Sequence, residues 1–185
     1  IWNAFLLNPH LPPEGIDRQT YLKATFGNKT KSNRIFESIN EAGKPLGINF
    51  QFGNIKRLPN TINSHRFVRF AGQQGRASDA VEALFQAYFS RGMDTGNRTV
   101  LYELAEELGF EKAGLRNYFH SNEDLEDIRD QNARAHQLGI NGIPAFVIDG
   151  EFSISGAQEP QVLSRLLEVG EKRQRDLFAT GTQPL

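Results

Sequence analysis

Cysteine is absent from the 185 residues, which excludes structural disulfides, thiolate metal sites and, within these residues, any thiol chemistry. Charge of one sign is not in excess either. The net charge is −1, and Lys and Arg are dispersed among acids, as in Glu171-Lys172-Arg173-Gln174-Arg175-Asp176. No basic stripe suggests nucleic acid or an anionic membrane surface. No apolar run approaches the roughly 18 residues of a membrane span. Methionine is confined to Met93, so the chain opens on Ile1-Trp2-Asn3 with no initiator, basic n-region or cleavage-site pattern. We expect residues upstream of Ile1, a processed natural terminus being the other account. Repeats, low-complexity tracts and linkers are also lacking. With 38% hydrophobic residues the chain can bury a sizeable core as one domain, or as a domain carrying an insertion.

The stretch with the most pattern is Gly139-Ile-Asn-Gly-Ile-Pro-Ala-Phe-Val-Ile-Asp149. Residues 143–148 are too few for a buried helix and read as a strand buried on both faces. Pro144 has no amide to give a sheet ladder, so backbone groups at the strand's entry stay free as a docking edge. Asp149-Gly150 is the usual pair for a tight type I′ hairpin, after which residues 151–155 alternate, with Phe152 and Ile154 on one face. Pro160 opens a helix whose inward residues are Val162, Leu163, Leu166 and Leu167, with Gly170 ending its best part. Residues 179–185 are too polar to order themselves.

Upstream, residues 1–7 read as a strand with Trp2, Phe5 and Leu7 available for packing, followed by a proline-rich loop to Gly15. Asp17 caps a helix ending before Gly27. A second helix over 31–42 carries Ile35, Phe36, Ile39 and Ala42, with Gly43 as its stop, and residues 48–52 are weakly extended. Arg57-Leu-Pro-Asn-Thr-Ile-Asn-Ser-His-Arg66 is a turn whose Asn60 or Thr61 caps a helix to about Ala71. Residues 78–90, apolar almost all round, predict the most buried helix. Helices over 99–108, 111–119 and 123–138 follow, the last stopped by Gly139.

The four histidines, His10, His65, His120 and His136, have no metal-ligand spacing, so no metal is assigned. Asp94, Asp149 and Glu106-Glu107 lack a partner for paired-carboxylate work. Gly139-x-x-Gly142 is too little for a phosphate loop. Tyr88, Phe89, Tyr118 and Phe119 sit at core spacing. His65 reads first as a half-buried structural histidine and Asn60 as a helix cap.

Helix, Gly-Ile-Pro entry, strand, Asp-Gly turn, strand and helix resemble the C-terminal half of a thioredoxin fold. With Pro59-Asn60-Thr61-x-x-x-His65-Arg66, the set resembles the FrnE-like subfamily of DsbA-like oxidoreductases, relatives of 2-hydroxychromene-2-carboxylate isomerases and kappa-class glutathione transferases. The matching fragments, 2–9, 12–15, 59–66, 81–92 and 138–158, span most of the chain.

The resemblance implies an α/β fold. A thioredoxin-like core formed by 1–14 and 139–178 carries a large all-helical insertion over 15–138, and 179–185 is a tail. It implies a thiol-disulfide oxidoreductase in which the bond corresponding to Ile143–Pro144 is cis. That loop faces a Cys-x-x-Cys pair at the N-terminus of the family's first helix. Here the first strand, first helix and pair would lie upstream of Ile1, so no catalytic residue is expected among those present. Without that first strand, two apolar strands would lose their shared neighbour, at about 1–3 kcal/mol for each buried unpaired backbone group.

Ile143 and Pro144 would shape the substrate groove and keep metal or a second thiol from the reactive sulfur, with Asn60 and His65 lining the cleft as the lesser role. No cofactor is implied. The partners would be protein or small-molecule disulfides and thiols, with a homodimer allowed and the cytoplasm as location, export staying open. A glutathione-dependent isomerase or transferase with an upstream serine is the alternative, in which glutathione would bind. A redox-inactive peptide-binding domain is the third.

Overall fold

Local capping chemistry sets where the helices begin. In the computed structural model, which describes residues 1–148, 150 and 152–180, Asp17 Oδ1 accepts from Thr20 N at 2.8 Å and starts α1 (Arg18–Phe26). Asn28 does the same for α2 (Lys29–Gly43), and Asn97 for α5 (Arg98–Glu107). Between them lie α3 (Ile62–Gly72) and α4 (Ala77–Phe85), and α4 widens into a π-turn over Gln86–Ser90. The sequence continues through α6 (Lys112–His120), α7 (Leu125–Gln137) and α8 (Pro160–Thr180). None of the helices among the described residues is long and apolar enough to cross a membrane.

Two small antiparallel sheets accompany them. β1 (Ile16–Asp17) pairs with β2 (Arg57–Leu58), Ile16 opposite Leu58. β3 (Ala145–Ile148) pairs with β4 (Phe152–Ser155), Ala145 opposite Ser155. The chain divides into two compact units, Ile1–Arg129 and Asp130–Leu185, so residues 1–14 group with the helices α1 to α6.

The first unit's core is built by α3 to α6. Phe67, Ala71, Ala80, Leu101, Leu104 and Leu115 are wholly buried, and Phe110 meets Phe67 edge to face at 6.2 Å. Each large aliphatic or aromatic side chain so placed contributes on the order of 1.5–3 kcal/mol. A second apolar cluster joins Ala4 and Leu6 to Ile128, with Ile62 against it.

Several sequence expectations are corrected. Residues 1–7 form no strand among the described residues, and the fully buried side chains are not those expected to pack. Ala4 and Leu6 are buried, whereas Trp2 (51%) and Leu7 (57%) face outward. Ala4 packs in the cluster with Ile128, and Trp2 donates Nε1–H to Ser78 Oγ at 3.0 Å.

Residues 78–90 are not the most buried helix. Phe85, the last residue of α4, is 52% exposed, and only Ala80, Leu84 and Ala87 of this stretch are buried. The α-helical part of α2 ends at Gly43 as expected, but Gly43 stays right-handed and leads into a 3-10 turn over Lys44–Leu46. Gly43 is packed under the Phe50 ring, where a Cβ would sit 2.7 Å from Cε2, and the chain turns left-handed at Gly47 instead. Residues 48–52 are not extended strand, and Phe50 and Phe52 there stack at 5.1 Å.

In the second unit β3 is not buried on both faces. Among the described residues it pairs with β4 alone, and Phe146 (37%) and Val147 (41%) are exposed. Gly170 does not end α8 but lets it lie on β3, since a Cβ there would come within 2.4 Å of Ile148 Cγ2. Leu166 is buried on that helix while Leu167 is exposed. The helix runs two residues into the expected tail, to Thr180, and 181–185 lie outside the described residues. The expected Asp149-Gly150 turn also falls partly outside them, at Asp149.

Candidate functional site

The Pro59-Asn60-Thr61 turn is fixed from both sides of its asparagine. Asn60 Nδ2 donates to Leu11 O at 2.8 Å, and Oδ1 accepts from Ile62 N at 3.1 Å. The capping expected of Asn60 or Thr61 therefore falls to Asn60, while the Thr61 side chain makes no capping bond. One turn later His65 Nε2 lies 3.2 Å from Phe5 O. A carbonyl only accepts, so Nε2 carries the hydrogen, and burial holds the ring's pKa below its ordinary value against the raising effect of that bond. Asn60 and His65 thus tie the start of α3 to two points of the N-terminal segment.

That histidine gives a pH prediction with a definite sign. Its folded pKa is depressed, so the unfolded chain binds the extra proton first as pH falls, and stability drops as pH goes below the ordinary histidine value toward the folded one. Urea unfolding at pH 7 and pH 5 is expected to show this loss in the wild type and a smaller one in His65→Gln. Equal losses in both would remove His65 as its source.

Next to this turn, still in the first unit, is a cavity of about 480 Å³ lined by Pro13, Glu14, Arg57, Asp94, Gly96 and Asn97. Gly96 belongs there because a Cβ would strike Asn60 O at 2.8 Å. Asp94 Oδ1 accepts from Gly96 N at 3.0 Å, and its Oδ2 lies 3.8 Å from Arg57 Nε. Arg57 is spent on backbone, donating to Glu14 O at 2.6 Å and 3.0 Å and to Gly15 O at 2.9 Å. The cavity offers hydrogen-bond donors and acceptors.

In the second unit the bond between Ile143 and Pro144 is cis, and both residues are exposed, Ile143 by 51%. Pro144 O accepts from Gly156 N at 2.7 Å, which closes the loop at the entry to β3. Ile143 and Pro144 belong to one compact unit and Asn60 and His65 to the other.

The residue that sequence reasoning missed is Arg66. It is 1% exposed and donates to Glu123 O (3.1 Å), Tyr118 O (2.6 Å) and Ser121 O (3.0 Å), with its guanidinium over the rings of Tyr118 and Phe119. One turn on, Arg69 pairs with Asp124 at 2.6 Å and with Asp127 at 2.8 Å, and the Tyr118 hydroxyl donates to Asp124. Burial alone would raise the Asp124 carboxyl; the bonds from Arg69 and Tyr118 outweigh it and hold the pKa below its ordinary value. Burial, reinforced by that carboxylate, pushes the Tyr118 hydroxyl well above its ordinary range. Asp124 itself has a positive φ of 62°, so this ion-paired corner fixes the turn into α7. No group of His, Asp and Glu suited to a metal occurs among the described residues.

Comparison with known proteins agrees with this architecture. The uncharacterised protein YwbO of Bacillus subtilis (strain 168) is 24% identical over 174 residues, which is 93% of this chain and 82% of that protein. A crystal structure described as a probable DsbA oxidoreductase from Streptomyces coelicolor superposes with a TM-score of 0.79 at 22% identity, covering 92% of this chain and 74% of that one. A 2-hydroxychromene-2-carboxylate isomerase superposes at 0.65 and 17% identity, over 88% and 82%. At such identities the structural likeness establishes the α/β thioredoxin-like fold with its helical insertion. The family itself is established by residues 1–168, which match it along their length: the chain belongs to the family of DSBA-like thioredoxin domains.

Proposed function

We propose that the protein is a DsbA-like thiol-disulfide oxidoreductase whose redox cysteine pair lies on a segment N-terminal to Ile1. The observation that carries this reading is the exposed entry to β3. Ile143 and Pro144 present an apolar loop, β3 pairs on one side among the described residues, and Phe146 and Val147 beside it are uncovered. Such an edge suits one strand of the segment bearing the cysteines, and the loop suits an extended disulfide substrate.

In this reading Ile143 and Pro144 contact substrate. A thiolate of the pair attacks one sulfur of the substrate disulfide and expels the other as thiolate. The second cysteine then displaces the mixed disulfide, so the substrate leaves as a dithiol and the pair as a disulfide. No cofactor is required, and the cytoplasm is the proposed location.

The test is the intact mass and thiol content of the protein isolated from its source, followed by insulin-disulfide reduction. A mass above 20.8 kDa with about two thiols per chain, and activity lost on alkylation, is the expected result. A mass of 20.8 kDa with no thiol would overturn it. A longer chain with serine in place of the pair and glutathione-dependent isomerisation would overturn it in favour of the isomerase alternative.

A further inference from the structure

We infer that a second copy of this chain docks on the outer face of α2, antiparallel to its counterpart. The inner face of that helix is accounted for: Ser32 and Gly43 are buried, and Phe36 stacks on Phe52 at 4.8 Å. The outer face is apolar and uncovered. Ile35 (38%), Ile39 (39%), Ala42 and Leu46 (75%) follow one another at spacings of four, three and four, which sets them in one stripe, and Ile48 (40%) follows after Gly47. Ile35, Ile39 and Ala42 have the periodicity that suggested an ordinary buried face, yet among the described residues they stay exposed.

The charges along α2 identify the occupant. Lys29, Lys31 and Arg34 stand in its first half and Glu37 and Glu41 in its second, with no acid in the first turn and no base in the last. This order opposes the helix dipole, which favours acids at the N-terminus and bases at the C-terminus by about 0.3–1 kcal/mol each. It therefore does not serve the isolated helix. An antiparallel copy reverses the order and makes it complementary. With Ile35 of one chain over Ile39 of the other, Arg34 comes within one residue of level with Glu41 across a twofold axis, twice. Glu41 already holds Lys44 at 2.6 Å, whereas the Arg34 side chain has no carboxylate partner among the described residues. Self-complementarity of this kind is what a twofold interface requires. A single helix pair buries on the order of 1,000 Å² or less, so the dimer forms at micromolar rather than nanomolar concentration. The inference stands apart from the redox reading and uses no residue of it.

Sedimentation equilibrium of the whole chain across a concentration series tests it. The expected mass rises from monomer to dimer, and Ile39→Glu, an exposed position whose folding is checked by circular dichroism, abolishes the rise. Arg34→Glu and Glu41→Arg each weaken association by about tenfold, and the double exchange restores it, as paired charges across an interface do. A chain that stays monomeric throughout, a dimer indifferent to Ile39→Glu, or a double exchange no tighter than the singles would overturn the inference. So would a monomer that captures a foreign protein through the same stripe.

Discussion

Replacing Arg66 with methionine is expected to cost about 3–5 kcal/mol, a large part of the roughly 5–15 kcal/mol that holds a typical domain folded. The side chain reaches three carbonyls, those of Tyr118, Ser121 and Glu123, around the end of α6 and the turn after it. The last carbonyls of a helix have no intrahelical donor, and the negative end of the helix dipole attracts a cation there. Each hydrogen bond to a charged donor contributes about 1.5–3 kcal/mol, and a buried acceptor left bare costs about 1–3. Methionine fills the space between the Tyr118 and Phe119 rings but satisfies none of the carbonyls. Arg66→Lys separates charge from geometry. A compact ammonium keeps the cation but cannot reproduce the planar fork, so a loss between wild type and methionine is expected. Urea midpoints at constant m-value read both. A lysine variant as stable as wild type would show that the fork is unnecessary, and a methionine variant within about 1 kcal/mol would show that the tie is not what holds this corner.

Arg66 also marks where the sequence stops being informative. The Pro59-Asn60-Thr61-x-x-x-His65-Arg66 run was recognisable, and two of its members behave as residue chemistry suggested, Asn60 as a cap and His65 as a structural histidine. Arginine, by type a surface residue, is buried here because its acceptors lie 52 to 57 positions further along the chain, and no local pattern announces them. Helices were legible because their signals are local: Asp17 was readable as a cap, and Asn28 and Asn97, which sequence reasoning missed, cap in the same way. The β3 and β4 strands were legible too, from an apolar run and the alternation after it; the N-terminal segments were not, because pairing is non-local. The 1–7 segment alternates as a strand would but buries Ala4 and Leu6 in place of Trp2 and Leu7. β1 and β2, with two residues each, are too short for any period to show. At the proposed site the Ile143–Pro144 loop was legible from proline chemistry, whereas the exposure of Phe146 and Val147 was not, since an apolar run carries no information about which face is covered.

The glycine at the entry to β1 makes the second large prediction. Gly15 has φ +67°, and a Cβ there would lie 2.3 Å from Leu58 O and 3.1 Å from Pro59 Cα. Both obstacles are backbone, so no side chain can swing aside. The neighbourhood is pinned as well: Gly15 N donates to Pro12 O at 2.8 Å, Gly15 O accepts from Arg57, and the next residue pairs with Leu58. Gly15→Ala therefore combines a left-handed backbone, about 1–2 kcal/mol for an ordinary residue, with overpacking of about 1–3 kcal/mol. The reduced freedom of the unfolded chain, under about 1 kcal/mol, does not repay them. A net loss of roughly 1–4 kcal/mol in urea unfolding is expected, those two costs less that gain. The comparison is Gly27→Ala, where φ is +76° but nothing lies within 4 Å of the added carbon. That variant carries the backbone cost alone, so the difference between the two isolates the steric part. Because Leu58 and Pro59 lead directly into the Asn60 turn, any relief of the clash must move that turn. Gly15→Ala is thus expected to shift amide resonances of Asn60 and Ile62, which Gly27→Ala leaves in place. Equal stabilities for the two variants, with Asn60 unshifted in both, would mean that the β1–β2 contact gives way freely and does not position the turn.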